Sequence, residues 1–318
     1  MRQIRAEELQ HLLENPETAD RAVAEFFTTT DEKGPLRLEL ELRPDVEIVY
    51  PDEAIFKSIR LWPDFLGLAN SFRRHQRLKA YRRKLEESPD SIRIVSEGDS
   101  WFQHPTVKDV IDHLIEDGLF RELAVYDVGA AGDDVWEMVL SAEFIDAVRS
   151  EKPRAVLISA GGNDILGAEF HNFVADYSDG SDIERLVVMD VFQGKLEQIR
   201  DRYAFIVSRL AEEGVQVPLV GHTYGYARQK PGKWLAPTMA GKGIPEAEQK
   251  AVVRYMVDQF HDRVLVPTQA AYKNFVFADV RRELLLLEDW HDEIHPNIEG
   301  FGHVALQIYR RMKELWQR

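Results

Sequence analysis

Four short segments hold residue types that could act on a carbonyl group. In Glu97-Gly98-Asp99-Ser100-Trp101-Phe102, a serine preceded by a glycine can be held exposed as a nucleophile, with a helix N-terminus nearby to receive negative charge. In Val128-Gly129-Ala130-Ala131-Gly132-Asp133-Asp134, the glycines let a backbone N–H approach a ligand and serve as an oxyanion donor. The G-x-x-G spacing there does not fit the G-x-G-x-x-G of a dinucleotide-binding turn. In Ala160-Gly161-Gly162-Asn163-Asp164, two glycines free the backbone to aim the Asn163 amide, a second kind of oxyanion donor. In Asp289-Trp290-His291-Asp292-Glu293-Ile294-His295-Pro296-Asn297, Asp292 and His295 lie three apart, so the carboxylate can accept from Nδ1–H while Nε2 faces a nucleophile. Each segment also has a plainer reading as turn chemistry, turn geometry or a helix cap. His291 and His295 share the i,i+4 spacing of metal-binding helices, but Pro296 pushes His295 out of the helical region, so no metal site is expected.

These segments need a scaffold that brings them together. From Ser91 onward, short β-branched runs alternate with longer amphipathic stretches, the pattern of βαβ units around a parallel sheet. Strands are predicted at Ile92–Ser96, Leu123–Val128, Ala155–Ser159, Val215–Val220 and Phe275–Ala278. Helices are predicted at Val107–Asp117, Asp134–Arg149, Gly194–Glu213, Pro245–Tyr272 and Glu299–Trp316. Five strands of this kind predict an α/β fold with a three-layer, flavodoxin-like parallel five-stranded sheet over residues 91–318. The four segments follow strands one, two, three and five, and so share the carboxyl edge where such sheets bind ligands. Residues 1–90 break the pattern and read as an α+β extension. They contain helical patterns at Ala6–Leu13 and Asp20–Phe27, an alternating strand Leu36–Leu42 that Val46–Tyr50 could join across Arg43-Pro44-Asp45, and a long helical stretch with Leu61, Phe65, Leu68 and Phe72 on one stripe, broken or kinked at Pro63.

The ordered set of Gly98-Asp99-Ser100, Gly129–Asp133, Gly161-Gly162-Asn163-Asp164 and Asp292-Glu293-Ile294-His295-Pro296-Asn297 resembles the SGNH, or GDSL-like, serine hydrolase family. The resemblance spans roughly Ser91 to the C-terminus and implies the SGNH hydrolase fold. It implies Ser100 as nucleophile, His295 as general base and then acid, and Asp292 as the residue orienting the imidazole. It further implies an oxyanion hole made by the backbone N–H groups of Ser100 and Gly132 and the side-chain amide of Asn163. The reaction implied is cleavage of an acyl or acetyl ester of a small molecule, lipid or carbohydrate through an acyl-enzyme, with no cofactor. Two alternatives stay open: acyl transfer on the same triad, and a non-enzymatic binding module using the basic N-terminal helix. Trp101, where many members carry leucine, departs from the pattern. Trp101 and Phe102 either line the pocket or are core aromatics, and Asp99 and Asp164 are read as turn and cap residues.

Composition narrows the classes further. The chain has 318 residues, 44% hydrophobic, with 40 Lys+Arg against 55 Asp+Glu, a net charge of −15 that weighs against nucleic-acid binding. Zero cysteines exclude disulfides, thiolate metal sites and a cysteine nucleophile. The charged start MRQIRAEELQHLLENPE has no apolar run of signal-peptide length, and no stretch is long and apolar enough for a membrane span, so a cytoplasmic protein is expected. Two basic islands interrupt the acidic average. Gly221–Pro245 carries Arg228, Lys230, Lys233 and Lys242 with Tyr224, Tyr226 and Trp234. It reads as a lid contacting a sugar-like or anionic substrate through Tyr224, Lys230 and Trp234, or as a plain surface loop. The run from Arg73 to Lys84 reads as a helix whose bases pair with the acidic body of the same or another subunit, an anionic partner being the alternative; residues 1–90 could thus build a homo-oligomer.

Overall fold

In the computed structural model the described residues are 2–5, 8–9, 12, 18–30, 39–49 and 65–317, except 105–106, 131, 179, 181, 214–216, 228–229, 231 and 233. The elements in chain order are β1 (Arg2–Arg5), α1 (Ala19–Phe26), β2 (Phe27–Thr30), β3 (Glu39–Leu42), β4 (Val46–Val49), α2 (Phe65–Glu87), β5 (Ile92–Gly98), α3 (Val110–Glu116) and β6 (Leu123–Asp127). Then come α4 (Val135–Ser141), α5 (Glu143–Glu151), β7 (Ala155–Ser159), α6 (Gly162–Leu166), α7 (Phe170–Phe173), α8 (Met189–Glu212), β8 (Leu219–His222), α9 (Leu235–Gly241), α10 (Glu246–Phe260), α11 (Val266–Ala271), β9 (Phe275–Ala278) and α12 (Ile298–Trp316).

Strands β5 to β9 form one parallel sheet in the order β6-β5-β7-β8-β9, flanked by helices, which is the expected three-layer α/β fold. The chain leaves β5 toward one edge and returns to add β7 on the other side. The strand order therefore reverses between β5 and β7, the place where a crevice opens beyond the carboxyl ends. The strands are mostly buried because helices cover both faces of the sheet; β7 is apolar up to Ser159 and buried along its whole length. Helix α12 packs on α3 and against β8 and β9, α3 packs on β6, and α8 packs with α4, α6 and α11.

Several boundaries move for physical reasons. The stretch expected as one helix over Asp134–Arg149 is two, α4 and α5, separated by Ala142 at φ +49°. Asp134 caps α4 by accepting from Trp136 N at 2.7 Å and Glu137 N at 2.9 Å. The helix expected over Pro245–Tyr272 is divided by a π turn at His261–Leu265. Pro267 follows it; its ring would clash with the carbonyl four residues back, and the wider turn accommodates this. The fourth strand begins at Leu219 rather than Val215. Pro218 has no N–H for a ladder and stands just ahead of it, and residues 214–216 lie outside the described set.

The N-terminal pairing also differs from expectation. β3 pairs antiparallel with β2, and β4 pairs parallel with β1, so the two strands flanking Arg43-Pro44-Asp45 enter separate ladders. Asp45 accepts from Arg2 Nε at 3.1 Å, which fixes β1 alongside β4. The pattern at Ala6–Leu13 falls largely outside the described residues, as do Leu61 and Pro63. Among the described residues no helix is long and apolar enough to cross a membrane.

Candidate active site

Ser100 stands two residues past the end of β5 in a tight turn, where Phe102 N and Gln103 N donate to Asp99 O. The turn is held from below by the Asp99 side chain, which accepts from Trp101 N at 3.0 Å, Ser159 Oγ at 2.7 Å and Tyr224 OH at 2.5 Å. Burial pushes the Asp99 carboxyl up, against the pull of those donors. The local sequence thus folds as an aspartate-stapled turn that leaves the Ser100 hydroxyl facing His295.

His295 arrives from the loop after β9. Its Nε2 lies 2.9 Å from Ser100 Oγ and its Nδ1 lies 2.8 Å from Asp292 Oδ2. Asp292 Oδ1 accepts from Ile294 N at 2.9 Å and His295 N at 2.8 Å, so the carboxylate folds the three-residue spacing back on itself. Burial works to raise Asp292, but the adjacent imidazole and these hydrogen bonds outweigh it and hold the carboxyl well below the usual range. His291 N and Asp292 N both donate to His295 O, and Trp290 bridges to Pro296, so the segment is a closed loop and not a helix. The i,i+4 metal geometry of His291 and His295 does not arise. His104, Asp292 and His295 do offer ligand atoms within 4.8 Å of one another. Both nitrogens of His295, however, are engaged with Ser100 and Asp292.

Asn163 sits in the first turn of α6, after β7, and donates from Nδ2 to Asp133 O at 2.7 Å. This bond ties the third segment to the second. Gly132 adopts φ +90°, a conformation that side-chain-bearing residues rarely take, and Ala130 N donates to Gly98 O at 2.9 Å, laying the glycine loop beside the Ser100 turn. Asp164 caps a neighbouring helix, accepting from Val135 N at 3.1 Å and pairing with Arg202 at 3.0 Å; burial raises it to about 6.

Of the remaining sequence candidates, Trp101 lines a pocket beside Ser100 and donates from Nε1 to Ile294 O at 3.3 Å. Phe102 is wholly buried, stacked 5.4 Å from His222 and outside that pocket's lining, so it is a core side chain. Tyr224 is buried and lends its ring to the pocket while its hydroxyl is committed to Asp99. Trp234 stands edge-on to the His295 ring at 6.2 Å. Lys230 lies close enough to His291 to add to the downward push that burial begins on that imidazole. Arg228 and Lys233 lie outside the described residues.

Two residues whose partners the sequence does not reveal support the arrangement. Glu293 is fully buried and accepts from Trp234 N and Leu235 N at 3.0 Å and Ala236 N at 2.8 Å, tying the start of α9 to the loop that carries Asp292 and His295. Arg74 of α2 donates to Gly129 O at 2.8 Å and to Val128 O, gripping the glycine loop from the N-terminal side. Both make contacts across more than fifty residues of chain, so no local spacing signals them.

No family model matches the chain. No curated protein matches it either. Among solved structures, the chain is similar to a catalytic mutant of an acetylxylan esterase from Geobacillus stearothermophilus, at 17% identity and TM-score 0.38, over 70% of this chain and 94% of that one. It is also similar to a member of the lipolytic G-D-S-L family from Veillonella parvula, at 16% identity and TM-score 0.39, over 69% of this chain and 97% of that one.

Proposed function

We propose that the protein is a serine hydrolase of the SGNH, or GDSL-like, kind that cleaves a small-molecule ester. The observation that carries this reading is the continuous hydrogen-bond chain from Ser100 Oγ through His295 to Asp292, set at the strand-order reversal of the sheet. A serine hydroxyl is a poor nucleophile until a base takes its proton. In the proposed cycle Ser100 Oγ attacks the ester carbonyl carbon and its proton passes to His295 Nε2, while Asp292 holds the imidazole and stabilises its charged form. The oxygen of the tetrahedral intermediate receives hydrogen bonds from the backbone N–H groups of Ser100 and Gly132 and from the Asn163 amide. Collapse breaks the bond to the alcohol oxygen, which takes the proton back from His295. Water, deprotonated by His295, then cleaves the acyl-serine to release the acid and regenerate Ser100. His295 carries every proton, so the cycle needs no cofactor.

A panel of small esters tests the reading, with alcohol and acid measured together. The expected result is equal release of both from at least one ester, lost on the order of 10⁴–10⁶-fold in Ser100→Ala. Ester cleavage undiminished in that variant would overturn it.

A further inference from the structure

Beside Ser100 a narrow pocket enters the protein, with Trp101, Asn163, Leu166, Tyr224 and Ile294 among its walls. It is lined by Ser100 and Asn163 but not by His295. In the proposed cycle His295 faces the leaving alcohol oxygen, so a pocket away from it and against the oxyanion donor receives the acyl side of the ester. The lining is largely apolar. Tyr224 contributes its ring face because its hydroxyl is turned to Asp99 at 2.5 Å.

The pocket is also short, with room for about one water-sized group, which is the size of a methyl. Its walls belong to the core and cannot retreat cheaply. Trp101 packs edge-on against Tyr224 at 5.0 Å, Phe301 at 5.9 Å and Trp290 at 6.4 Å, and all four are buried. Tyr224 lies so near Gly162 that a Cβ there would stand 2.7 Å from the ring. Cores packed this way resist extra methylenes.

We propose that this pocket takes the acyl group and is built for acetyl, so that the substrate is an acetyl ester. The inference rests on the serine hydrolase reading. The substrate's carbonyl carbon sits at Ser100 Oγ, its methyl enters the pocket, and the released acid is acetate.

The test is kcat/KM for p-nitrophenyl acetate, butyrate and octanoate, with Ser100→Ala as the blank. Acetate should exceed butyrate by about 10–200-fold, the discrimination of a pocket one or two methylenes too short, and octanoate should be cleaved more slowly still. Leu166 stands three residues beyond Asn163 and is buried in the pocket wall, so Leu166→Ala should raise the butyrate-to-acetate ratio about tenfold or more. Should that variant fold poorly, the wild-type series decides alone. Ser100-dependent cleavage of butyrate or octanoate as efficient as acetate would overturn the acetyl assignment while leaving the hydrolase reading standing. Absence of Ser100-dependent cleavage of every ester would overturn both.

Discussion

Two of the buried clusters of charged and polar side chains among the described residues are built to opposite ends. Around Arg77, on the N-terminal helix α2, every group is cross-linked. Its guanidinium donates to both oxygens of Asp109 at 2.8 and 2.7 Å, to Asp112 at 2.7 Å, to Asp127 at 2.7 Å and to Phe102 O at 2.8 Å. Burial opposes the Arg77 charge, but three carboxylates overrule it, and Arg77 and Arg73 in turn hold the Asp112 carboxyl below its ordinary value against its own burial. Around His295 the side-chain bonds instead run in one line, Ser100 to His295 to Asp292, with the Asp292 carboxylate steadied by two backbone N–H groups. A saturated network fixes geometry and has nothing left to donate. A linear one holds its members in place while leaving a proton free to move.

Removing one member from each cluster should therefore fail in different ways. On the proposed mechanism, Asp292→Asn should lower kcat about 10⁴-fold, because the amide favours the wrong imidazole tautomer, while its urea midpoint changes little. Arg77→Leu should do the reverse. Three acids lose their shared cation, costing about 3–5 kcal/mol in urea unfolding, while any protein that stays folded keeps most of its turnover. Wild-type stability in Arg77→Leu would show that the network is not the tie between α2 and the sheet. Asn163→Ala should cost about 10²–10³-fold in kcat with its fold intact, the loss of one oxyanion donor. If it kept wild-type turnover on a cleaved ester, Asn163 would be a linker to Asp133 and nothing more.

The contrast also explains what could be read from the chain in advance. The four segments were legible because each is local: Ser100 after a glycine, Asn163 after two, Asp292 three residues before His295, all following strand patterns whose edge the topology shares. The sheet was legible for the same reason, since β-branched runs alternate with amphipathic ones. The Arg73 to Lys84 run reads as a charged helix whose bases pair either with the acidic body of the same or another subunit or with an anionic partner. Its partners Asp109, Asp112 and Asp127 lie 32 to 50 residues away, and a sequence does not show which carboxylate an arginine will meet. Glu293 escaped likewise, because a residue that caps a distant helix looks like any acid in an acidic loop. The N-terminal ladders differ from expectation because a Pro-Asp turn between two strand patterns suggests a hairpin, whereas the β1–β4 register and the Arg2 to Asp45 bond join β4 to a parallel partner.

In the proposed cycle Ser100 is a nucleophile activated by His295. A fluorophosphonate probe reads this directly, since it phosphonylates only a serine whose proton is taken by a nearby base. Wild-type protein should label with one adduct, located on Ser100 by peptide mass spectrometry, and neither Ser100→Ala nor His295→Ala should label at a comparable rate. Well-folded wild-type protein that fails to label, or a Ser100→Ala variant that labels as fast as wild type, would overturn the nucleophile assignment.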